Sequence, residues 1–279
     1  MSTRTKDDGY ERDRLSFGLV ASAAVVALIV VVGVVVFATS GSKDQPSVDA
    51  GSPGAAEPVI SSARGFAAAT VDVYGRRVDV PNNPAGQPLA QNAAAQHKPT
   101  DNDWLTAAPQ GTAAQGGWQQ VFGASVPFSS SDGPSRLEDG LAVGYAHTPQ
   151  GAALAAAQIS YRLNARPADA ALVHRQLRMG ATQLQAYDKA IDNGKLPKRQ
   201  PEPVTRYLVA SDAFQIEDYA EDMAIVRLAL RGEVPAGQQT WAAVRMIMVW
   251  EAGDWRLRLS NSQAAQTTYV TSLVGWTPW

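Results

Sequence analysis

QTWAAVRMIMVWEAGDWRLRLSN, residues 239 to 261, is the stretch that decides how this chain folds. Trp255, Leu257 and Leu259 alternate with Arg256 and Arg258, the period of a strand with one dry and one wet face. Glu251-Ala-Gly-Asp254 separates this strand from the run Gln239 to Glu251, and Gly253 supplies the backbone angles of a tight hairpin. The two strands are therefore antiparallel neighbours. Upstream, period two continues in Val204 to Ala210, Ala213 to Tyr219 and Met223 to Arg231, with a turn at Gly237.

Before residue 204 the period is helical. Thr148 is a suitable N-cap, Pro149 fits the first helical position, and GAALAAAQISYRLN follows. Leu154, Ile159 and Leu163 supply large core-facing residues, and the alanines allow close approach to what lies beneath. Ala168 to Ile191 reads as a second helix, with Leu172, Leu177, Leu184 and Ile191 near one face and Gly180 weakening its middle. Asn193 to Pro203 is a helix stop and exposed loop. Two short extended segments, Trp118 to Phe128 and Gly140 to Ala146, open the unit. Helices followed by an antiparallel meander predict an α+β domain over residues 117–279, its helices packed on one face of a curved antiparallel sheet.

Residues 39–116 are dominated by Gly, Ser, Ala, Pro, Gln and Asn, with few large apolar side chains, and predict a flexible, disordered linker. Within it, Thr70 to Pro81 (TVDVYGRRVDVP) alternates valines around Tyr74-Gly75. It reads as a locally extended piece of linker, a short hairpin, or a segment that folds on a partner. Phe17 to Ala38 is 22 residues without a charge, about 33 Å as a helix, enough to cross a bilayer. Arg4, Lys6, Arg12 and Arg14 precede it and only Lys43 follows closely, which places residues 1–16 in the cytoplasm and residues 117–279 outside. A cleaved signal peptide is the competing reading. Its apolar region runs about 7–15 residues, shorter than this one.

Composition removes many chemistries. With no cysteine there is no disulfide, thiolate nucleophile or zinc finger, and the three histidines (His97, His147, His174) have no metal-ligand spacing. A formal charge of −2 argues against direct nucleic-acid binding. No phosphate loop, nucleophile elbow or HExxH occurs. The expectation is no enzyme, no cofactor and no metal. His147 and His174 read as structural or solvated, and His97 as a linker residue without a role. Glu217, Asp218, Glu221 and Asp222 read as an acidic hairpin tip rather than a cation site. Trp241, Trp250, Trp255, Trp276 and Trp279 read as sheet core or as the lining of an apolar pocket. The final YVTSLVGWTPW is expected to dock onto the domain rather than face a partner.

Two resemblances follow from these blocks. The order of elements ending in GDWRL is similar to the NTF2-like (cystatin-like) cone. The chain over 117–279 also resembles single-span actinobacterial membrane proteins of integrative conjugative elements. The residues that carry this resemblance are Trp118, Gly123, Val126, Pro127, Ser129, Gly133 and Pro134. The block from Gly144, Tyr145, Ala146, His147, Thr148, Pro149, Gly151 and Ala152 to Gln158 and Ile159 continues it, and Trp250, Gly253, Asp254, Trp255, Arg256 and Leu257 complete it. The 18 Arg to 6 Lys fit a high-GC genome. The resemblance implies a VirB8- or TcpC-type bitopic scaffold of a conjugation channel in the cell membrane. Its partners would be the membrane, itself and other channel proteins. The alternative it leaves is a small-molecule or lipid-binding cone, such as an accessory protein of a lipid-import system. Within the motif, Trp118, Gly144, His147, Thr148, Pro149, Gly151, Gly253, Asp254 and Trp255 are expected to be structural.

Overall fold

The computed structural model describes residue 60 and residues 63–232, 239–259 and 267–279. Phe17 and Ala38, the expected ends of the membrane anchor, lie outside the described residues. Among the described residues no helix is long and apolar enough to cross a membrane.

A minor hairpin, β1 (Thr70–Val71) with β2 (Arg77–Val78), comes first. Two more follow: β3 (Trp118–Val121) with β4 (Ala124–Pro127), and β5 (Arg136–Glu138) with β6 (Leu141–Val143). Helix α1 (Pro149–Ala165), helix α2 (Ala170–Gln176), the two-residue strand β7 (Leu177–Arg178), helix α3 (Ala181–Asp192) and the short α4 (Glu202–Thr205) lead to the main strands. These are β8 (Ala213–Tyr219), β9 (Met223–Arg231), β10 (Trp241–Glu251), β11 (Asp254–Arg258), β12 (Thr267–Val270) and β13 (Thr277–Pro278). With β7 they form a seven-stranded sheet in the order β13-β8-β9-β10-β11-β7, with β12 also on β10.

The hairpin from β10 to β11 forms as its sequence predicts, with Glu251 opposite Asp254 and both Ala252 (φ 52°) and Gly253 (φ 79°) at positive φ. The same pair of angles closes two other hairpins, at Phe122-Gly123 and Asp139-Gly140. Trp118 to Phe128 is accordingly a hairpin, not one extended segment.

The NTF2-like α+β cone expected from the sequence is not the fold. Among the described residues strand outweighs helix (30% against 21%), and the sheet is mixed, because β7 pairs parallel with β11 (Leu257 with Leu177, Arg258 with Arg178). The long helix expected over Ala168 to Ile191 is broken to make that strand, at the point where Met179-Gly180 interrupts it. Val204 to Ala210, expected as a strand, opens as the end of α4 and reaches only a single bridge, Ser125 to Val209.

The largest departure is α1. All 17 of its residues are buried, so it is the centre of the molecule rather than a cover for the sheet. One side packs on β8, β9, β10 and β11, the other on β4. Alanine all round lets both layers close in, as expected of a helix without a polar face. Three of its polar side chains donate to the surrounding backbone: Gln150 Nε2 to Trp104 O (2.9 Å), Gln158 Nε2 to Pro127 O (2.6 Å) and Arg162 Nη1 to Gly140 O, whereas Gln150 Oε1, Tyr161 Oη and Asn164 Oδ1 are buried without a hydrogen-bond partner. Arg162 also stacks on Phe122 and pairs with Asp169 at 2.8 Å. Burial pulls its pKa below the ordinary arginine value, against the pull of Asp169.

The linker boundary at residue 116 is likewise corrected. Residues 63–116 belong to the fold: Val78 and Ala85 are fully buried, and Asp79 accepts from Gly116 N at 2.6 Å. Low hydrophobicity misleads there because polar groups hold the segment down. Arg76 lies over the Trp118 ring (3.8 Å) and pairs with Asp212 (3.2 Å), which also accepts from Arg231 (2.5 Å) and from Trp241 Nε1 (2.8 Å). At the other end β13 pairs with β8, and Trp279 packs on Phe214 (4.7 Å) and donates to Ser211 Oγ (3.1 Å). The C-terminal residues dock onto the domain.

Candidate functional site

The most particular stretch of sequence, GYAHTPQGA, connects β6 to α1, and its residues meet the turn between β10 and β11 more than a hundred positions away. Asp254 Oδ2 accepts from Gly144 N (2.7 Å), and Oδ1 accepts from Tyr145 N (3.2 Å) and Trp255 N (2.9 Å). Burial raises the Asp254 pKa above its usual value, while these N–H groups and Arg136 pull it down. Trp255, fully buried, donates Nε1 to Ala146 O at 2.9 Å. Gly144 has φ 74°, a strained angle for an L side chain, and a Cβ there would sit 2.1 Å from Ser135 Oγ, which would have to move aside.

The helix start is as the sequence predicts. Thr148 Oγ1 accepts from Gly151 N (3.0 Å), and Pro149 takes the first position. A Cβ on Gly151 would meet Ala146 O at 2.1 Å, which explains the glycine in the helix's first turn. Beneath lies a feature that the sequence did not reveal. Thr148 Oγ1 donates to the buried Asp132 (2.6 Å), whose other oxygen accepts from Ser131 Oγ (2.5 Å). Burial raises the Asp132 pKa, and the two hydroxyls oppose it. Asp132 is 16 residues from Thr148, beyond any local capping pattern.

His147 is the exposed member of the group. Its ring stacks on Trp250 (4.1 Å, 7° between planes) and meets Trp255 edge-on at 5.6 Å. Nε2 contacts Glu221 O, and its own carbonyl accepts from Tyr219 Oη at 3.0 Å. Tyr219 also meets Trp104 edge-on (5.7 Å), and burial lifts its pKa to about 12. The histidine thus faces rings and a backbone carbonyl, not a carboxylate or a hydroxyl that it would activate.

Of the motif residues, Gly144, His147, Thr148, Pro149, Gly151, Gly253, Asp254 and Trp255 come together at one end of the sheet. Trp118 does not; it lies under Arg76 on β3. His174 pairs with Asp188 on the surface (2.8 Å). Glu217 is bound by Arg245 (2.6 Å) and Arg227 (3.4 Å), whereas Asp218, Glu221 and Asp222 are exposed around the β8–β9 turn. His97, read as a linker residue, has ring and carboxylate atoms within 4.8 Å of Asp101 and Asp103, a set that can hold a cation. Its seven-residue spacing, H-K-P-T-D-N-D, was the only signal, and it fits no standard ligand pattern.

Compared with known proteins, the chain matches over residues 79–278 the family model described as "Domain of unknown function (DUF8175)", and it belongs to that family. No curated protein and no solved structure matches it. The matched range opens at Asp79, inside the stretch first read as linker, and takes in both halves of the latch that joins the segment Gly144 to Gly151 to the β10–β11 turn.

Proposed function

We propose that this member of the DUF8175 family is a non-enzymatic, membrane-anchored component of a conjugative DNA-transfer (type IV secretion-like) apparatus. Its anchor would be Phe17 to Ala38, with the N-terminus cytoplasmic and the folded domain outside, binding other proteins of the channel. The observation that carries this reading is the use to which the GYAHTP and GDW blocks are put. Asp254, Thr148, Gly144, Gly151 and Trp255 tie the β10–β11 turn to the start of α1, so the most particular residues serve architecture. The uncharged 22-residue run and the charge imbalance around it support the anchor. The resemblance to integrative-conjugative-element proteins supports the apparatus. Against the small-molecule alternative stands α1, whose 17 buried residues fill the space a ligand cone would need.

Deleting the gene in its host and counting DNA transfer to a recipient tests the proposal. Transfer is expected to collapse and to return with the full chain but not with residues 39–279 alone. Normal transfer in the deletion strain overturns the reading, and rescue by the anchorless form overturns the anchored role.

A further inference from the structure

Trp118 is the motif residue that stands apart from the latch, and its ring carries a guanidinium. Arg76 lies on it, 3.8 Å from the centroid, and donates Nη2 to Asp212 Oδ1 at 3.2 Å. The carboxylate is fixed from its other side, where Oδ2 accepts from Arg231 Nε (2.5 Å) and Trp241 Nε1 (2.8 Å). Among the described residues Oδ1 accepts from Arg76 alone. An aromatic face beside an immobilised carboxylate oxygen is a receptor for a planar cation. Arg76 fills it incompletely. A guanidinium has several N–H donors, and this one makes a single hydrogen bond. Two buried acceptors close by have no hydrogen-bond partner: Asp72 Oδ2, 3.5 Å from Arg76 Nε, and Tyr161 Oη, whose electrostatic neighbours are Tyr74, Arg76 and Asp212.

The occupant comes from outside the matched domain. Trp118, Tyr161, Asp212, Arg231 and Trp241 lie within residues 79–278, whereas Arg76 sits at the tip of the β1–β2 hairpin ahead of them. That tip is held here by Arg76 and by Tyr74, whose ring lies under Arg231 at 4.6 Å; Val71 and Val73 are 67% and 41% exposed. We propose that the Trp118–Asp212 site binds an arginine side chain of a partner protein, and that Arg76 occupies it in cis until the partner displaces it. The exchange is like for like, so Asp212 is never left unpaired. Tyr161 Oη is then an acceptor for the donors that Arg76 leaves unused. A lysine, a point charge without a planar face, matches the ring and carboxylate less well. The partner's membership of a transfer apparatus rests on the function proposed above; the site's preference for a guanidinium does not.

Chemical rescue of the full chain in detergent micelles tests the site. Arg76→Ala should lower the thermal midpoint, and millimolar ethylguanidinium should restore it while leaving the wild type unmoved. Ethylurea, the neutral analogue, should not restore it, and adding Trp118→Leu should abolish the rescue. By calorimetry, N-acetyl-arginine amide should bind the Arg76→Ala chain on the order of tenfold more tightly than the wild type, whose site is filled in cis. No rescue, equal rescue by ethylurea, or equal binding to both chains overturns the site, as does a variant that is unfolded and stays so with the probe. Free arginine bound tightly where the amide is not overturns the protein partner in favour of a small molecule. If the site passes while gene deletion leaves DNA transfer normal, the site stands and the apparatus reading fails. If deletion abolishes transfer while Trp118→Leu supports it fully, the apparatus reading stands and the partner's arginine has no part in it.

Discussion

The two faces of the main sheet come from the same strands by simple alternation, yet they are built to opposite ends. On the inner face Val226, Leu228, Met248 and Trp255 are fully buried against a helix that itself has no wet side. On the outer face Met223, Ile225, Ile247 and Val249 are only half-buried and are framed by Arg227, Arg245, Arg256 and the exposed Arg258. The inner face needs shape, because interiors are close-packed and tolerate little loss of volume. The outer face needs charge at set positions, and its stability depends on it far less. The difference separates residues that make the fold from residues available for recognition.

Substitutions can break that distinction. The largest effect is expected from Asp169→Ala, which strips the partner from Arg162 inside the molecule and should cost about 3–5 kcal/mol, read as a lower urea midpoint. Met248→Ala, on the inner face, should cost about 2–5 kcal/mol, while its neighbour Ile247→Ala, on the outer face, should cost about 1 kcal/mol or less. Equal costs would erase the contrast. Asp254→Ala should cost about 1–3 kcal/mol, because the N–H groups of Gly144 and Tyr145 lose their acceptor.

Asp132 sharpens the comparison through pH. Burial raises its pKa above 3.8, so the folded state holds the proton more tightly than the unfolded one. Its contribution to stability is full below about pH 3.8 and is lost as pH rises through the folded-state value. Asp132→Asn should remove that decline from the stability profile just above pH 3.8. The smallest effect is expected on the outer face, where Arg258→Ala should change stability by no more than about 0.5 kcal/mol.

What could be read from the sequence was local. Gly253 announced its hairpin and Thr148-Pro149 announced a helix start, because each signal lies within four residues of its effect. The same turn rule held at Asp139-Gly140, a favoured hairpin pair, and at Phe122-Gly123, where the bulky first residue masked it. The role of α1 was hidden because a leucine every few positions suggests one buried stripe. The stronger clue was composition: Arg162 is the only charged residue between Pro149 and Ala165. Leu177–Arg178 was read as helix, since a two-residue strand is set by its neighbour β11 and not by its own propensity. The early segment looked like linker because its anchors are the side chains of Arg76 and Asp79 and the backbone of Gln87, polar groups whose partners Asp212, Gly116 and Gln119 lie far along the chain. The latch was legible as a motif but not as a contact: nothing in the sequence links Asp254 to Gly144, or Asp132 to Thr148.

A helix wrapped on every side also constrains how the molecule is made. The layer over one flank of α1 comes from residues before it and the sheet under the other from residues after it. Neither half alone gives the helix a dry environment, so a chain caught with one layer built presents a stripe of bare alanine and leucine. Most of the loop-closure entropy must be spent before the contacts that reward it form. Slow folding and a single cooperative unfolding transition are the expected signature, and the nascent chain is most exposed to aggregation between synthesis of α1 and closure of β10 on β9.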